Sequence, residues 1–162
     1  TGSVDQLSTV ARHAYELLGG DDRIRFLGSP GDDELVREYA SATALLMLSR
    51  AEGFGLPVIE AMAHGCPVIA ARCGALPEIV GDAGILVDPD QVESVSDSIH
   101  QVARSSALVS ELIARGRQRA ENFTWKRAAE AYFREYQFVA LNAAANTERA
   151  FPSASSVAAG FR

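Results

Sequence analysis

Short apolar runs alternate with segments of helical periodicity through the first 90 residues of the chain. Each run contains β-favouring residues and is bounded by turn residues; the runs are residues 23–28, 43–49, 67–71 and 84–87. Apolar positions with helical spacing occur at residues 7–18, 32–39, 57–64 and 76–80. Strands that alternate with helices are typical of a parallel sheet covered on both faces. We therefore predict an α/β fold, a Rossmann-like parallel sheet with flanking helices.

After Asp88 the pattern predicts helices only. Val92, Val95, Ile99 and Val102 recur at spacings of three and four. An aromatic stripe from Trp125 to Phe138 predicts a closing helix, and we expect this stripe to pack on the core rather than to form a membrane or partner surface, with part of it left exposed in a shortened domain. Thr124 suits the cap of that helix. From residue 142 the chain is rich in Ala, Ser and Thr and has no periodicity. We predict a domain at residues 1–141 and a mobile tail at residues 142–162.

The predicted sheet is small for its class. Doubly wound sheets usually have five or six strands, whereas the pattern gives four. We therefore expect a domain that lacks its first strands.

Composition narrows the classes of function. The 162 residues are 48% hydrophobic, and the net charge of −6 comes from 15 basic and 21 acidic residues without a basic run. These values fit a globular domain and argue against nucleic acid as a partner. The apolar runs are far shorter than the roughly 20 residues of a membrane-spanning helix, and no secretory signal pattern opens the sequence. We expect a cytoplasmic protein.

The residues that often bind metals are scattered. Cys66 and Cys73 flank one apolar run, and they are interpreted as small hydrophobic residues in a reducing compartment. His13, His64 and His100 have no partners at ligand spacing. Asp88 and Asp90 follow a strand and precede a helix, so Asp90 is predicted to be a cap or turn residue. No metal site is predicted.

The stretch EGFGLPVIEAMAHG, residues 52–65, carries the candidate chemistry. It follows a predicted strand, and Pro57 suits the first turn of the next helix. Gly53 and Gly55 permit a close approach of the backbone to a ligand. Free N–H groups at a helix N-terminus favour an anion, for which a diphosphate is the obvious candidate.

Two glutamates bracket this turn and leave two interpretations open. Glu60 falls one turn into the helix, so its carboxylate can lean back toward the turn and accept hydrogen bonds from vicinal sugar hydroxyls. Alternatively, Glu60 only complements the helix dipole, an effect of about 0.3–1 kcal/mol, and Glu52 is a solvated loop residue.

A longer segment favours the first interpretation. Residues 49–89, SRAEGFGLPVIEAMAHGCPVIAARCGALPEIVGDAGILVDP, closely resemble the donor-binding domain of GT-B glycosyltransferases, in the large retaining family called group 1 or family 4. Seven residues separate Glu52 from Glu60, as in the paired glutamates of that family. The segments RIRFLG and NFTW extend the resemblance to about residues 4–140. The chain is thus identified as the C-terminal half of such an enzyme.

The resemblance implies a role for each matching position. Glu60 would hold the ribose hydroxyls of the nucleotide. Glu52 would be the catalytic residue, set against the transferred sugar and its phosphate. The turn of Gly53, Phe54, Gly55 and Leu56 would bind the donor through backbone N–H groups, with Phe54 packing the turn. Phe26 and Gly28, at another strand end, would contact the base.

The chain departs from the family pattern in three respects. Leu48 stands where a proline is usual, and Gly74-Ala75 replaces a pair of glycines. The Arg and Lys that clamp the diphosphate, and the whole acceptor-binding domain, belong to a segment expected before residue 1. Fixed positive charge at the leaving group is normally a large catalytic contribution. We therefore expect this chain alone to be inactive.

The sequence thus predicts a glycosyltransferase fragment that binds a nucleotide-diphosphate sugar for retaining transfer. The sugar nucleotide is the substrate, and neither a cofactor nor a metal is required. The acceptor, which is a glycan, a lipid or a small molecule, would bind the preceding domain, and peripheral membrane contact of the full protein stays open. The alternatives are a non-catalytic nucleotide-sugar binding or scaffolding module, and a GT-B sugar-nucleotide epimerase.

Overall fold

The computed structural model describes residues 13, 15, 16 and 24–150. Most of the helix predicted at residues 7–18, and residues 151–162 of the predicted tail, lie outside the described residues. His13, Tyr15 and Glu16 are helical.

A parallel sheet lies at the centre of the described part. Its three strands there are β1 (Leu45–Met47), β2 (Val68–Ala71) and β3 (Ile85–Val87), in the order β1-β2-β3. Leu46 is paired with Ile69, and Ala70 with Leu86. Every residue of β2 is buried, as expected for a strand covered on both faces. The predicted α/β class with a parallel sheet is confirmed.

Helices connect and follow the strands. They are α1 (Asp32–Ser41), α2 (Leu56–Ala63), α3 (Leu76–Val80), α4 (Val92–Arg104), α5 (Ser106–Ala120) and α6 (Trp125–Ala150). The Thr124 hydroxyl accepts a hydrogen bond from the Arg127 amide at 3.2 Å, which confirms the predicted cap of α6. Gly65, at φ 75°, follows the end of α2 in the left-handed conformation that glycine favours.

The sheet separates two apolar clusters. Val68 and Ala70 pack against α2 and α3, whose core residues include Val58, Met62, Leu76 and Val80. Ile69, between them on the strand, packs on the opposite face with Val102 of α4 and Leu112 of α5. Alternate residues of a strand point to opposite faces. Each large side chain buried in this way stabilises the fold by about 1.5–3 kcal/mol.

One predicted strand is wrong for the residues that the structure describes. Residues 24–28 of the run RIRFLG have no strand conformation. A strand needs a hydrogen-bonded neighbour, and in the described part the sheet consists of β1, β2 and β3 only. An apolar β-favouring run is therefore insufficient to define a strand.

The closing helix extends further than predicted. α6 continues to Ala150, past the boundary drawn at residue 142, because alanines at 143–145 favour helix strongly although they add no periodicity. Its aromatic stripe is solvent-exposed, with Trp125 85% exposed, so the expected core packing is wrong for the described part. Among the described residues, no helix has both the length and the apolar character needed to cross a lipid bilayer.

Candidate functional site

Three loops meet at the carboxyl edge of the sheet. They are residues 48–55 after β1, 72–75 after β2 and 88–91 after β3. Parallel strands bring all their carboxyl ends to one edge, which is where open α/β sheets bind ligands. The stretch singled out in the sequence occupies the first of these loops and the helix α2 that follows it.

Gly55 shapes the start of α2. It is the N-cap residue, at φ 92°, and a Cβ atom there would lie 2.9 Å from Cδ2 of Leu76. Only glycine combines that backbone conformation with such close packing. The helix has no side-chain cap, and Pro57 in the first turn carries no N–H group. The Val58 amide donates to the Gly55 carbonyl at 3.0 Å, so the amides of Gly55 and Leu56 are the ones left at this N-terminus for an external acceptor.

Glu52 lies in the loop after β1, which packs against the loop after β2. Its carbonyl accepts a hydrogen bond from the Ala75 amide at 3.4 Å. A Cβ atom on Gly74, which adopts φ 56°, would lie 3.1 Å from both the amide nitrogen and the carbonyl oxygen of Glu52. The Glu52 side chain is half-buried. The loop after β2 therefore fixes the backbone from which Glu52 projects.

The rest of the predicted donor turn lies at the surface. Gly53 is exposed, and a Cβ atom there would meet nothing within 4 Å. Leu56 is exposed, and Phe54 is 45% exposed with its ring edge-on to Phe123 at 6.0 Å between centroids. Solvent, or a ligand, can reach this turn.

Glu60 is held by a buried tyrosine of α1. The Tyr39 hydroxyl donates a hydrogen bond to Oε2 of Glu60 at 3.1 Å. Tyr39 is only 8% exposed, and its burial, together with the negative charge of Glu60, raises its pKa to about 12. Glu60 itself is half-buried and forms no ion pair within the described part of the chain. Its other carboxylate oxygen is available to a ligand.

His64 supports the same pair. Its Nδ1 atom lies 2.8 Å from the backbone carbonyl oxygen of Glu60. The imidazole stacks on the ring of Tyr39, with 6.1 Å between the centroids. His64 is exposed at the end of α2. The histidine is therefore a structural neighbour of Glu60.

The segment predicted to contact the base is connected to Glu60 by way of α1. Phe26 packs edge-on against Tyr15 at 5.2 Å between centroids, and Gly28 adopts φ 66°. Arg25, which precedes Phe26, forms an ion pair with Glu38 of α1. Glu38 precedes Tyr39, so this segment is linked through α1 to the residue that contacts Glu60. The base contact itself stays a prediction.

Several residues at this edge had not been predicted from the sequence. Arg50 follows β1 and forms an ion pair with Asp90 beyond β3. Arg72 follows β2 and donates to the Leu86 carbonyl at 3.1 Å. Their positions directly after apolar runs were the available signal. Tyr39 gave no such signal, because an aromatic residue in an amphipathic helix is typical of any core.

A mainly apolar cavity of about 530 Å³ adjoins the site. It lies between α2 and the first turns of α6, and Leu56, Ile59, Phe123 and Trp125 form part of its lining. Glu60 and His64 also line it. The helix α2 thus presents Glu60 beside a cavity that is open to solvent.

The two cysteines and the Asp88–Asp90 pair were the other candidate reactive residues. Cys66 and Cys73 are free thiols; Cys66 is buried, and burial raises its pKa, while Cys73 is half-buried. The Asp88 carboxylate accepts a hydrogen bond from the Asp90 amide at 3.0 Å, so Asp90 is a turn residue, as predicted. Among the residues described, no group of three or more His, Cys, Asp or Glu side chains is arranged to hold a metal ion.

Known proteins resemble this chain over most of its length. Residues 2–105 match the family model described as glycosyl transferases group 1. O-antigen chain mannosyltransferase B of Escherichia coli is 37% identical over 116 residues, which cover 72% of this chain and 30% of the relative. D-inositol 3-phosphate glycosyltransferase of Saccharomonospora viridis is 38% identical over 122 residues, with coverage of 74% and 28%. The chain therefore spans about 30% of the length of these relatives.

Two solved structures also resemble this chain. Sucrose-phosphate synthase from Thermosynechococcus elongatus superposes with a TM-score of 0.72 and 30% identity, over 87% of this chain and 37% of the synthase. The C-terminal domain of a glycosyl transferase group 1 family protein from Francisella tularensis superposes with a TM-score of 0.58 and 32% identity. That match covers 68% of this chain and 58% of the domain.

Proposed function

Because the chain belongs to the group 1 glycosyltransferases, we propose that it binds a nucleoside-diphosphate sugar and forms the donor side of a retaining glycosyl transfer. We place the binding unit in residues 1–141. The acceptor, a glycan, a lipid or a small molecule, would bind a part of the enzyme that this chain does not contain.

The proposal is carried by the N-terminus of α2. Gly55 brings the backbone into a left-handed turn there, and no side chain caps the helix. Amide N–H groups and the positive end of the helix dipole attract an anion. The diphosphate of a sugar nucleotide has the charge and the acceptor oxygens for this position, and exposed Gly53 lets it approach the backbone.

Glu60 would recognise the ribose. A carboxylate close to a phosphate is unfavourable unless it accepts hydrogen bonds, and the vicinal ribose hydroxyls are suitable donors. One Glu60 oxygen already accepts from Tyr39, and the other can accept from the ribose. Hydrogen bonds to a charged group contribute about 1.5–3 kcal/mol each.

Glu52 would orient the sugar. Its backbone is fixed by the loop after β2, through Gly74 and Ala75, while its half-buried side chain lies on the same turn as the diphosphate-binding amides. A carboxylate at that position can accept hydrogen bonds from sugar hydroxyls and support positive charge on the departing ring. The role of Glu52 therefore depends on the tight packing of the loop after β2 against the loop after β1.

Binding and turnover would be separate properties of this chain. Of the two arginines that follow strands at this edge, Arg50 is paired with Asp90 and Arg72 donates to a backbone carbonyl. Among the described contacts, neither guanidinium is directed to the start of α2, where the diphosphate would bind. We expect the chain to bind a nucleotide without transferring sugar. Turnover by this polypeptide alone would contradict that expectation.

Calorimetric titration with UDP and GDP tests the proposal. We expect weak, saturable binding of at least one nucleotide, and Glu60→Ala should weaken it at least tenfold. Glu93→Ala is the matched control, because Glu93 is an exposed glutamate in the first turn of α4, which begins at the same edge of the sheet. An equal loss of nucleotide affinity in both variants would show that Glu60 only complements the helix dipole and does not contact the ribose. Absence of binding would favour a scaffolding module.

A further inference from the structure

Tyr39 is a buried residue of α1, and it contacts Glu60 of α2. Its ring belongs to the core cluster that also contains Val58 and Met62 of α2, and its hydroxyl reaches Oε2 of Glu60 at 3.1 Å. The aromatic ring alone would satisfy the packing. The hydroxyl adds nothing to this packing, and a buried phenol must have a hydrogen-bond partner. The bond from Tyr39 to Glu60 therefore requires an explanation of its own.

We infer that Tyr39 is a positioning residue, whose hydroxyl orients the Glu60 carboxylate so that its free oxygen faces the ribose of the bound nucleotide. This inference rests on the proposed function and adds a residue to it.

The geometry supports this role from two directions. Glu60 lies on α2, where its backbone carbonyl is contacted by Nδ1 of His64 at 2.8 Å. Its carboxylate is contacted by Tyr39, and the imidazole of His64 stacks on the Tyr39 ring. Tyr39 and His64 thus form one unit beside Glu60, in which Tyr39 holds the carboxylate; the Glu60 backbone is held by α2 itself, whose His64 amide donates to the Glu60 carbonyl at 3.1 Å. A glutamate without such a unit would sample several rotamers before binding.

The lone pairs of the carboxylate allow both interactions at once. An ionised carboxylate accepts at about four positions, and Tyr39 occupies one position on Oε2. A phenol donor also remains neutral, so it orients the carboxylate without neutralising it. An arginine at this position would hold Glu60 as an ion pair and compete with a weakly acidic sugar hydroxyl.

A thermodynamic cycle distinguishes positioning from simple structural support. The substitution Tyr39→Phe removes the hydroxyl and keeps the ring. Binding is measured for UDP or GDP, whichever binds the wild-type chain more tightly, and for its 2′,3′-dideoxy analogue. We expect Tyr39→Phe to weaken binding of the ribonucleotide roughly tenfold, and that of the analogue less than about twofold. In the Glu60→Ala background, Tyr39→Phe should have no further effect.

The controls separate the possible failures. Tyr136→Phe removes an exposed phenol on α6 and should change neither affinity. Circular dichroism of Tyr39→Phe checks that the variant is folded. Equal weakening of both ligands, or none, with a folded variant would overturn the positioning role and leave the proposed function standing. Absence of nucleotide binding by the wild-type chain would overturn the proposed function and, with it, this role.

Discussion

Gly74 lies directly against the backbone of Glu52. A Cβ atom on Gly74 would be 3.1 Å from both the amide nitrogen and the carbonyl oxygen of Glu52. The two residues are on different β–α loops, so this contact locks the loop after β1 to the loop after β2. The position of the proposed catalytic glutamate depends on a glycine 22 residues further along the chain.

Gly74→Ala should therefore impair both stability and binding. The new methyl group meets backbone atoms, and φ 56° is unfavourable for alanine. We expect the free energy of unfolding to fall by about 1–3 kcal/mol, measured by urea denaturation, and nucleotide affinity to fall with it. Gly53→Ala is the control for stability, because that position is open and does not have a positive φ. Equal stability of both variants would contradict the close approach.

The titration of Tyr39 gives a pH test. Burial and the charge of Glu60 raise its pKa from 10.0 to about 12, so the folded state favours the neutral phenol. The resulting stabilisation is complete below pH 10 and is lost as the pH rises toward 12. We expect the wild-type chain to lose more unfolding free energy over that range than Tyr39→Phe, by at most about 3 kcal/mol.

Absorbance of tyrosinate measures the same titration directly. The chain has four tyrosines, and the Tyr39→Phe variant should lose a phenol that titrates near pH 12. Loss of a phenol that titrates at the ordinary pH of 10 would show that Tyr39 is not buried against Glu60.

Removal of divalent cations should not affect nucleotide binding. In the proposed site the field that attracts the diphosphate comes from the N-terminus of α2 and its amides. We therefore expect the same affinity for UDP or GDP in excess EDTA as in excess magnesium chloride, within about twofold, by calorimetry. A tenfold or larger loss in EDTA would show that a bound cation contributes to the site.

Local sequence signals located α2 well. Pro57 marked the start of the helix predicted at residues 57–64, which comprises Leu56–Ala63 in the structure, and Gly65 is the matching signal at its end. Both signals act within one turn of the chain, through the fixed φ of proline and the left-handed conformation of glycine. The run at residues 67–71 similarly predicted a fully buried strand. Features set by neighbouring residues are accessible to such reasoning.

Features that depend on a distant partner were missed. The run at residues 23–28 has the composition of a strand, but composition cannot supply a hydrogen-bonded neighbour. The Tyr39 contact with Glu60 joins residues 21 positions apart, and no local pattern marks the phenol. The exposure of the aromatic stripe on α6 likewise depends on what packs against it, which periodicity does not reveal.

Amide NMR spectra of the chain, titrated with UDP or GDP, test whether a diphosphate binds at the start of α2, because they locate the bound ligand residue by residue. We expect saturable shifts that are largest at the amides of Gly53, Gly55 and Leu56, with a smaller group around Glu60. Shifts that cluster elsewhere, or that do not saturate, would contradict a diphosphate site at the start of α2.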